Sequence, residues 1–212
     1  MEVLITSKTK YGNNHVCVGG LVLKNNRFIR LLTRGGDRNP KGWYQFANTP
    51  LNVGDIWDID FKDSPHISEP HVEDVFIKIN KKVKTISNLS NFLNKSGVNI
   101  YNGHIDNLFD AKLKWQKDDG KGYISGKKQK DLPSQSVGFW VSDIDLILED
   151  DRYFYNYSFL GSIPKKKSLK WVGTSKSIAV IPKGTLIRVS LAKWLPSKHV
   201  EDRCYLQLSG WY

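Results

Sequence analysis

The chain has 212 residues, 40% of them hydrophobic and 12% aromatic, with 7 Trp, 9 Tyr and 9 Phe. That content supplies a real core and excludes a disordered chain, and no apolar run approaches the ~20 residues of a membrane span. A formal net charge of +11 favours an anionic partner, nucleic acid first, and no membrane is expected as one.

The charge is uneven along the chain. Residues 1–50 hold 8 basic and 2 acidic side chains, residues 51–150 hold 13 and 16, and residues 151–212 hold 11 and 3. Lys makes up 25 of the 32 basic residues, so compositional drift explains a basic total but not this distribution. Arg27, Arg30, Arg34, Arg38, Arg152, Arg188 and Arg203 all lie in the two basic ends, and Arg is the side chain suited to forked phosphate contacts and stacking. Cys17 and Cys204 sit inside strand-like runs and read as buried, reduced thiols. With an acidic second residue and no signal-peptide pattern at the start, the expected address is cytoplasmic.

In chain order, Val3 to Ser7 predicts a short opening strand. A turn at Tyr11 to Asn14 leads into HVCVGGLVL, then a turn at Asn25-Asn26, then RFIRLLTR, which together read as a β-hairpin. Gly19-Gly20 marks a bulge or tight coil of the kind a small barrel needs to curve. Arg30 and Arg34 are able to share one side of the second strand. The loop RGGDRNPKGWYQF, residues 34–46, has two readings. Either Arg34, Arg38 and Trp43 contact phosphate and base, with amides freed by the glycines, or Trp43 and Phe46 pin an ordinary Gly/Pro loop to the core.

LNVGDIWDIDF, residues 51–61, is the clearest strand of the first half, and IPKGTLIRVSL, residues 181–191, is its cousin in the second. The pair suits two similar barrels in tandem. PHISEPHVEDVFIKI, residues 65–79, places His66 and His71 beside Glu69, Glu73 and Asp74, but it lacks the helical His-Glu-x-x-His spacing or paired Cys of a metal site. It reads as a loop entering a strand. Residues 85–97 form the best helix, with Thr85 or Ser87 as cap and Gly97 as stop. A second short helix is expected over Ile105 to Leu113. The Gly- and Lys-rich stretch 116–136 predicts a mobile hairpin or loop between lobes.

VGFWVSDIDLIL, residues 137–148, reads as one or two strands. In DRYFYNYSFLG, Tyr153, Tyr155, Tyr157 and Phe159 share one face and Phe154, Asn156, Ser158 and Leu160 the other. The tyrosine face is either core or a base-stacking platform, because Tyr hydroxyls resist burial without partners. Lys165, Lys166, Lys167, Lys170 and Trp171 then set cations beside rings, and Ser168 to Thr174 is read as a strand. The last stretch, Gly184 to Tyr212, predicts two adjacent antiparallel strands. Cys204, Leu206 and Leu208 face the core there, and Arg203, Tyr205 and Gln207 face outward.

HVCVGG, RFIRLLT, VGDIWDIDF, PHVEDV, GTLIRVSLAKW and, most specifically, RCYLQLSGWY resemble the motif series of the bacterial dual OB-containing domain (DuOB) family over nearly the whole chain. The resemblance implies two OB barrels in one domain, nucleic acid as ligand, and a setting in bacterial defence or mobile-element systems. It carries no catalytic residues.

The expected fold is therefore mainly β: two OB-like small β-barrels in tandem, with one or two short helices and a Lys/Gly-rich connector. The lobes are expected at 1–84 and 137–212, with the connector at 85–136. The leading function is non-enzymatic binding of single-stranded DNA or RNA by Arg30, Arg34, Arg38, Trp43, Tyr155, Lys166, Trp171, Arg188, Arg203, Tyr205 and Trp211. The alternatives are a small-ligand or nucleotide sensor and a protein-interaction adaptor. A metal-dependent nuclease is the remaining one, requiring Asp55, Asp58, Asp60, Glu73 and Asp74 to converge. No cofactor, metal or catalytic residue is expected.

Overall fold

The computed structural model describes residues 1–33, 42–126, 128–157, 165–195 and 201–212, with nothing described of the Lys165 side chain. Contacts divide the chain into one unit of Met1–Val98 with Tyr212 and a second of Asn99–Trp211. The expected connector is thus shared: residues 85–98 fall in the first unit and 99–136 in the second.

In the first unit the strands are β1 (Glu2–Tyr11), β2 (His15–Val22), β3 (Arg27–Leu32), β4 (Gln45–Phe46), β5 (Asp55–Asp63) and β6 (Asp74–Thr85). They run β1-β5-β6-β3-β2, and β1 pairs β2 to close a ring of five, with β4 added outside on β2. β3 and β6 are parallel, while the other neighbours in the ring are antiparallel. This is the connectivity of an OB barrel. Val3, Ile5, Val18, Ile29, Leu31, Ile59 and Val75 fill its interior, each contributing about 1.5–3 kcal/mol by leaving water.

The opening strand is longer than expected because β1 must pair two partners. Its register slips between Ile5 and Ser7, which face Gly20 and Gly19, so the bulged residue is Thr6 and the glycines lie opposite it. A Cβ on Gly20 would come within 2.6 Å of Val3. The glycine pair is what lets the two strands curl this closely.

α1 (Leu89–Lys95) is shorter than expected, since Thr85 ends β6. Asn88 caps it, its side chain accepting from the Asn91 amide at 2.8 Å. Leu89 and Leu93 are its buried face.

The second unit holds β7 (Ile100–Gly103), β8 (Lys114–Trp115), β9 (Gly122–Ser125), β10 (Val137–Ser142), β11 (Leu146–Glu149), β12 (Arg152–Tyr157), β13 (Lys165–Trp171), β14 (Val180–Ile181), β15 (Leu186–Leu191) and β16 (Arg203–Trp211). Their order is β14-β11-β12-β13-β16-β15-β10-β7. Only residues 143–145 separate β10 from β11, so these act as one broken strand, half pairing β15 and half pairing β12. The circuit β10/β11-β12-β13-β16-β15 then repeats that of the first unit, and β13–β16 is parallel as β3–β6 is.

The two strands that looked like cousins occupy the same place in each circuit. Before β5, Gly54 adopts φ 89 and its amide donates to Ile5 in the opening strand; before β15, Gly184 adopts φ 80 and donates to Ser142. That left-handed backbone is what glycine supplies. β15 and β16 are antiparallel, with Cys204, Leu206 and Leu208 buried and Arg203, Tyr205 and Gln207 partly exposed between them, as the alternation predicts. β13 begins at Lys165 rather than Ser168, because its register with β12 extends to Tyr157–Lys165.

The second short helix expected over Ile105 to Leu113 is a 3-10 turn, Ile105–Asn107, running into α2 (Leu108–Ala111), a single turn in which Phe109 and Asp110 take left-handed φ of 53 and 60. The expectation of a mobile connector after it is also corrected. Residues 114–125 form a hairpin, β8–β9, built into the second unit. β9 pairs β16 at Tyr205–Tyr123, Cys204–Ile124 and Arg203–Ser125, and the Ser168 amide donates to Gly120 at 2.8 Å. β13 and β16 pair only at Lys170–Gln207 and Trp171–Leu208, so the hairpin lies in the seam where these two strands part. Its anchor is small: buried Ile124, and Gly122 against Trp115 and Leu206.

Gly120 is the tightest point, at φ 66 with a Cβ position only 2.1 Å from the Lys166 carbonyl oxygen. Gly120→Ala is expected to destabilise the fold by about 2–4 kcal/mol, from overpacking and left-handed backbone together. A urea titration of both proteins measures it, and an unchanged midpoint would place the hairpin elsewhere. Among the described residues no helix is long and apolar enough to cross a membrane.

Candidate functional site

An OB barrel offers ligands the face of its second and third strands, with the adjoining loops. In the second unit those strands are β12 and β13. Their alternation turns Tyr153, Tyr155 and Leu169 into the core and sets Arg152, Phe154 and Asn156 opposite Lys170, Ser168 and Lys166 on the other face.

A cleft of about 980 Å³ opens on this face, lined by Trp115, Lys117, Arg152, Phe154, Tyr157 and Lys166 among others. A neighbouring one of about 520 Å³ runs on past Lys170, Lys193 and Tyr205. Both are lined by Gln116, Asp119, Lys121 and Arg152, which makes Arg152 the junction.

Most cations here already have an acid. Lys166 meets Glu149 at 2.5 Å and lies 3.7 Å over the Phe154 ring. Lys121 meets Asp119 at 2.6 Å, and Lys170 meets Asp151 at 3.4 Å. Arg152 differs. Its Nε donates to Ser168 Oγ at 3.0 Å, and no ion pair holds it among the described residues. Partial burial lowers its pKa, with Asp151 and Asp119 offsetting only part of that. The guanidinium stays charged in a place where an added anion would relieve the desolvation.

The floor of the cleft is a tied group. Lys167 is buried, and its Nζ donates to both Asp106 oxygens, at 2.5 and 2.6 Å. The Trp115 indole donates to Asp106 Oδ1 at 2.7 Å, and the ammonium lies 4.6 Å from the Trp115 ring and 4.8 Å from Tyr157. This holds the β8–β9 hairpin, the 3-10 turn and β13 in one arrangement, so the ring walls are set before any ligand arrives.

Of the residues singled out from sequence, Lys166 and Tyr205 line the clefts. Arg203 stacks 4.1 Å over Tyr123 and donates from Nη1 to the Gln116 amide oxygen at 2.8 Å, so it positions Gln116. Trp171 is half-buried, edge-on to Tyr153, and Trp211 also packs against the core. Trp43, in the first unit, is 54% exposed. Arg34 and Arg38 lie outside the described residues.

Three assignments are corrected. Tyr155 and Tyr153 are core rather than platform, because each hydroxyl found a partner: Tyr155 donates to Asp143 at 2.7 Å and Tyr153 to the Ile178 carbonyl at 2.8 Å. Burial, reinforced by Asp143, pushes the Tyr155 hydroxyl pKa well above its usual value, and the proton stays on.

Arg188, 1% exposed, donates from Nη1 to the Val189 carbonyl at 2.6 Å and lies 5.7 Å over Phe139. Arg30, 7% exposed, meets Asp74 at 3.1 Å, Glu73 at 3.9 Å and the His71 ring at 3.3 Å. Desolvation works against its charge, and Cys17, Asp74, Tyr44 and Glu73 outweigh that to hold the pKa above the ordinary value. Neither guanidinium is offered to a phosphate.

Arg152, Lys117, Trp115 and Phe154 were not chosen from sequence. Arg152 figured there only among the arginines of the two basic ends, and Phe154 as the ring out of phase with the tyrosines.

The carboxylates proposed for a nuclease do not converge. Asp58 holds the N-terminal ammonium at 2.8 Å and Asp55 holds Lys82 at 2.7 Å, while Asp74 is committed to Arg30. Among the described residues no group of three or more His, Cys, Asp or Glu is placed to hold a metal ion.

The strand circuit made twice over defines a tandem OB-fold protein. The motif series carries the assignment one step further. The chain belongs to the dual OB-containing domain (DuOB) family, whose sequence profile matches residues 1–211. No protein of curated function and no solved structure matches it.

Proposed function

We propose that the protein binds single-stranded nucleic acid on the β12–β13 face of its second unit and does no chemistry on it. The observation that carries this is Arg152: a charged, partly desolvated guanidinium without an ion-pair partner among the described residues, at the junction of two clefts. Phosphate suits its fork. Phe154, Tyr157 and Trp115 place π-surface beside it, which favours splayed bases over a duplex, whose bases are already stacked. Ring stacking and phosphate contact read no base edge, so the binding is sequence-tolerant.

The test is a set of salt-titrated binding curves with single- and double-stranded DNA and RNA. Single strands are expected to bind more tightly, with log K falling by about 0.7 per decade of salt for each phosphate neutralised. A flat salt dependence would end this reading. The size of the larger cleft also suits one nucleotide. Thermal stabilisation by a mononucleotide, with indifference to oligonucleotides, would favour a sensor instead.

A further inference from the structure

We infer that the first unit carries a second, separate contact site for nucleobases, formed by Tyr11, His15, Tyr44 and Phe46. Tyr11 faces His15 across the β1–β2 turn, and His15 faces Phe46 across the β2–β4 pairing. Tyr44 immediately precedes β4 and is half-buried, with its ring against that of Tyr11. The result is a row of rings already paired: Tyr11 and Tyr44 with centroids 4.0 Å apart, His15 and Phe46 stacked at 5.0 Å and 30°.

These rings are not core. Tyr11 is 51% exposed, Phe46 61%, and neighbouring Trp43 54%. Aromatic surface concentrated like this, at the loop end of an OB barrel, is the form that partner sites take.

Charge favours a polyanion as the occupant. Arg30 is sealed beneath by Asp74 and Glu73 and adds no free positive charge. The exposed Lys10 precedes Tyr11, and residues 1–50 as a whole carry 8 basic side chains to 2 acidic ones. Stacking supplies base contact without sequence preference, and the cations supply the phosphate attraction.

The inference shares its ligand class with the proposed function but uses different residues, so the two are separable in the full chain. Four proteins are compared by anisotropy with a labelled oligothymidylate: wild type, Arg152→Ala/Lys117→Ala, Tyr11→Ser/Phe46→Ser, and the quadruple variant. Thermal melts check that each is folded. Loss of two stacking contacts is expected to weaken binding by about 10- to 100-fold in the Tyr11→Ser/Phe46→Ser protein. Residual binding by the Arg152→Ala/Lys117→Ala protein is expected to vanish in the quadruple variant, and photo-crosslinks should map to Tyr11 and Phe46 in wild type.

Wild-type affinity in the ring variant would overturn the inference while leaving the cleft reading standing. The reverse pattern, loss in the ring variant alone, would retain this site and reject the cleft. Ring substitutions that change only the sedimentation of the protein would show a self-association surface and overturn it as well.

Discussion

Replacing Arg152 and Lys117 together by Ala is expected to lower affinity for a short single strand by about 10- to 100-fold near 0.1 M salt, and to flatten the log–log salt slope by about 1.4, two phosphates at 0.7 each. Arg152 sits where the two clefts meet, and Lys117 is exposed on the wall of the larger one. Neither is held in an ion pair among the described residues, so both are available to phosphate without first surrendering an acid. Lys121, Lys166 and Lys170 must each give one up. The fold should tolerate the change. Arg152 loses its hydrogen bond to Ser168, worth about 1 kcal/mol, and Lys117 loses nothing. Isothermal titration at three salt concentrations reads both numbers. An affinity change with an unaltered slope would mean that the residues shape the cleft rather than meet phosphate.

Arg30→Ala is expected to cost about 3–5 kcal/mol of stability, because it leaves the Asp74 and Glu73 carboxylates buried without their cation. The nucleic-acid affinity of the folded fraction should not change. Urea midpoints for both proteins measure the first, and salt-titrated binding by the folded variant measures the second. An unchanged midpoint would show that the two carboxylates do not depend on Arg30. Arg30 was attractive as a phosphate ligand from sequence, and this pair of measurements separates that role from its structural one.

The strand plan was legible because it is written locally. Alternation at 186–191 and 203–211 gave the last two strands and their faces, since a period of two has only one way to bury one side. The Gly-marked entries to residues 55 and 186 were legible as equivalents because a left-handed residue is demanded at that turn in both barrels. Gly19-Gly20 announced close curvature, although the extra residue lies across from it at Thr6.

What resisted reading was which polar side chains find a partner inside. Whether Tyr155 is platform or core depends on Asp143 standing within reach of its hydroxyl. Whether Arg30 meets solvent or a buried acid depends on Asp74, 44 residues away and brought alongside by the parallel β3–β6 pairing. The β8–β9 hairpin was legible only as a mobile hairpin or loop between lobes, because few of its residues are apolar. It is held by backbone pairing to β16 and by the close approach at Gly120, and neither leaves a periodic trace.

The sequence by itself determined two β-rich halves, the order of their strands and the inward faces of most of them, for those follow from hydrophobic period and glycine geometry along the chain. Only the tertiary structure decided which cations are spent inside and which are left over, because desolvating a charge is tolerable only where folding supplies its counterion. Arg30, neutralised in the first unit, and Arg152, in no ion pair among the described residues of the second, are the two outcomes of that rule.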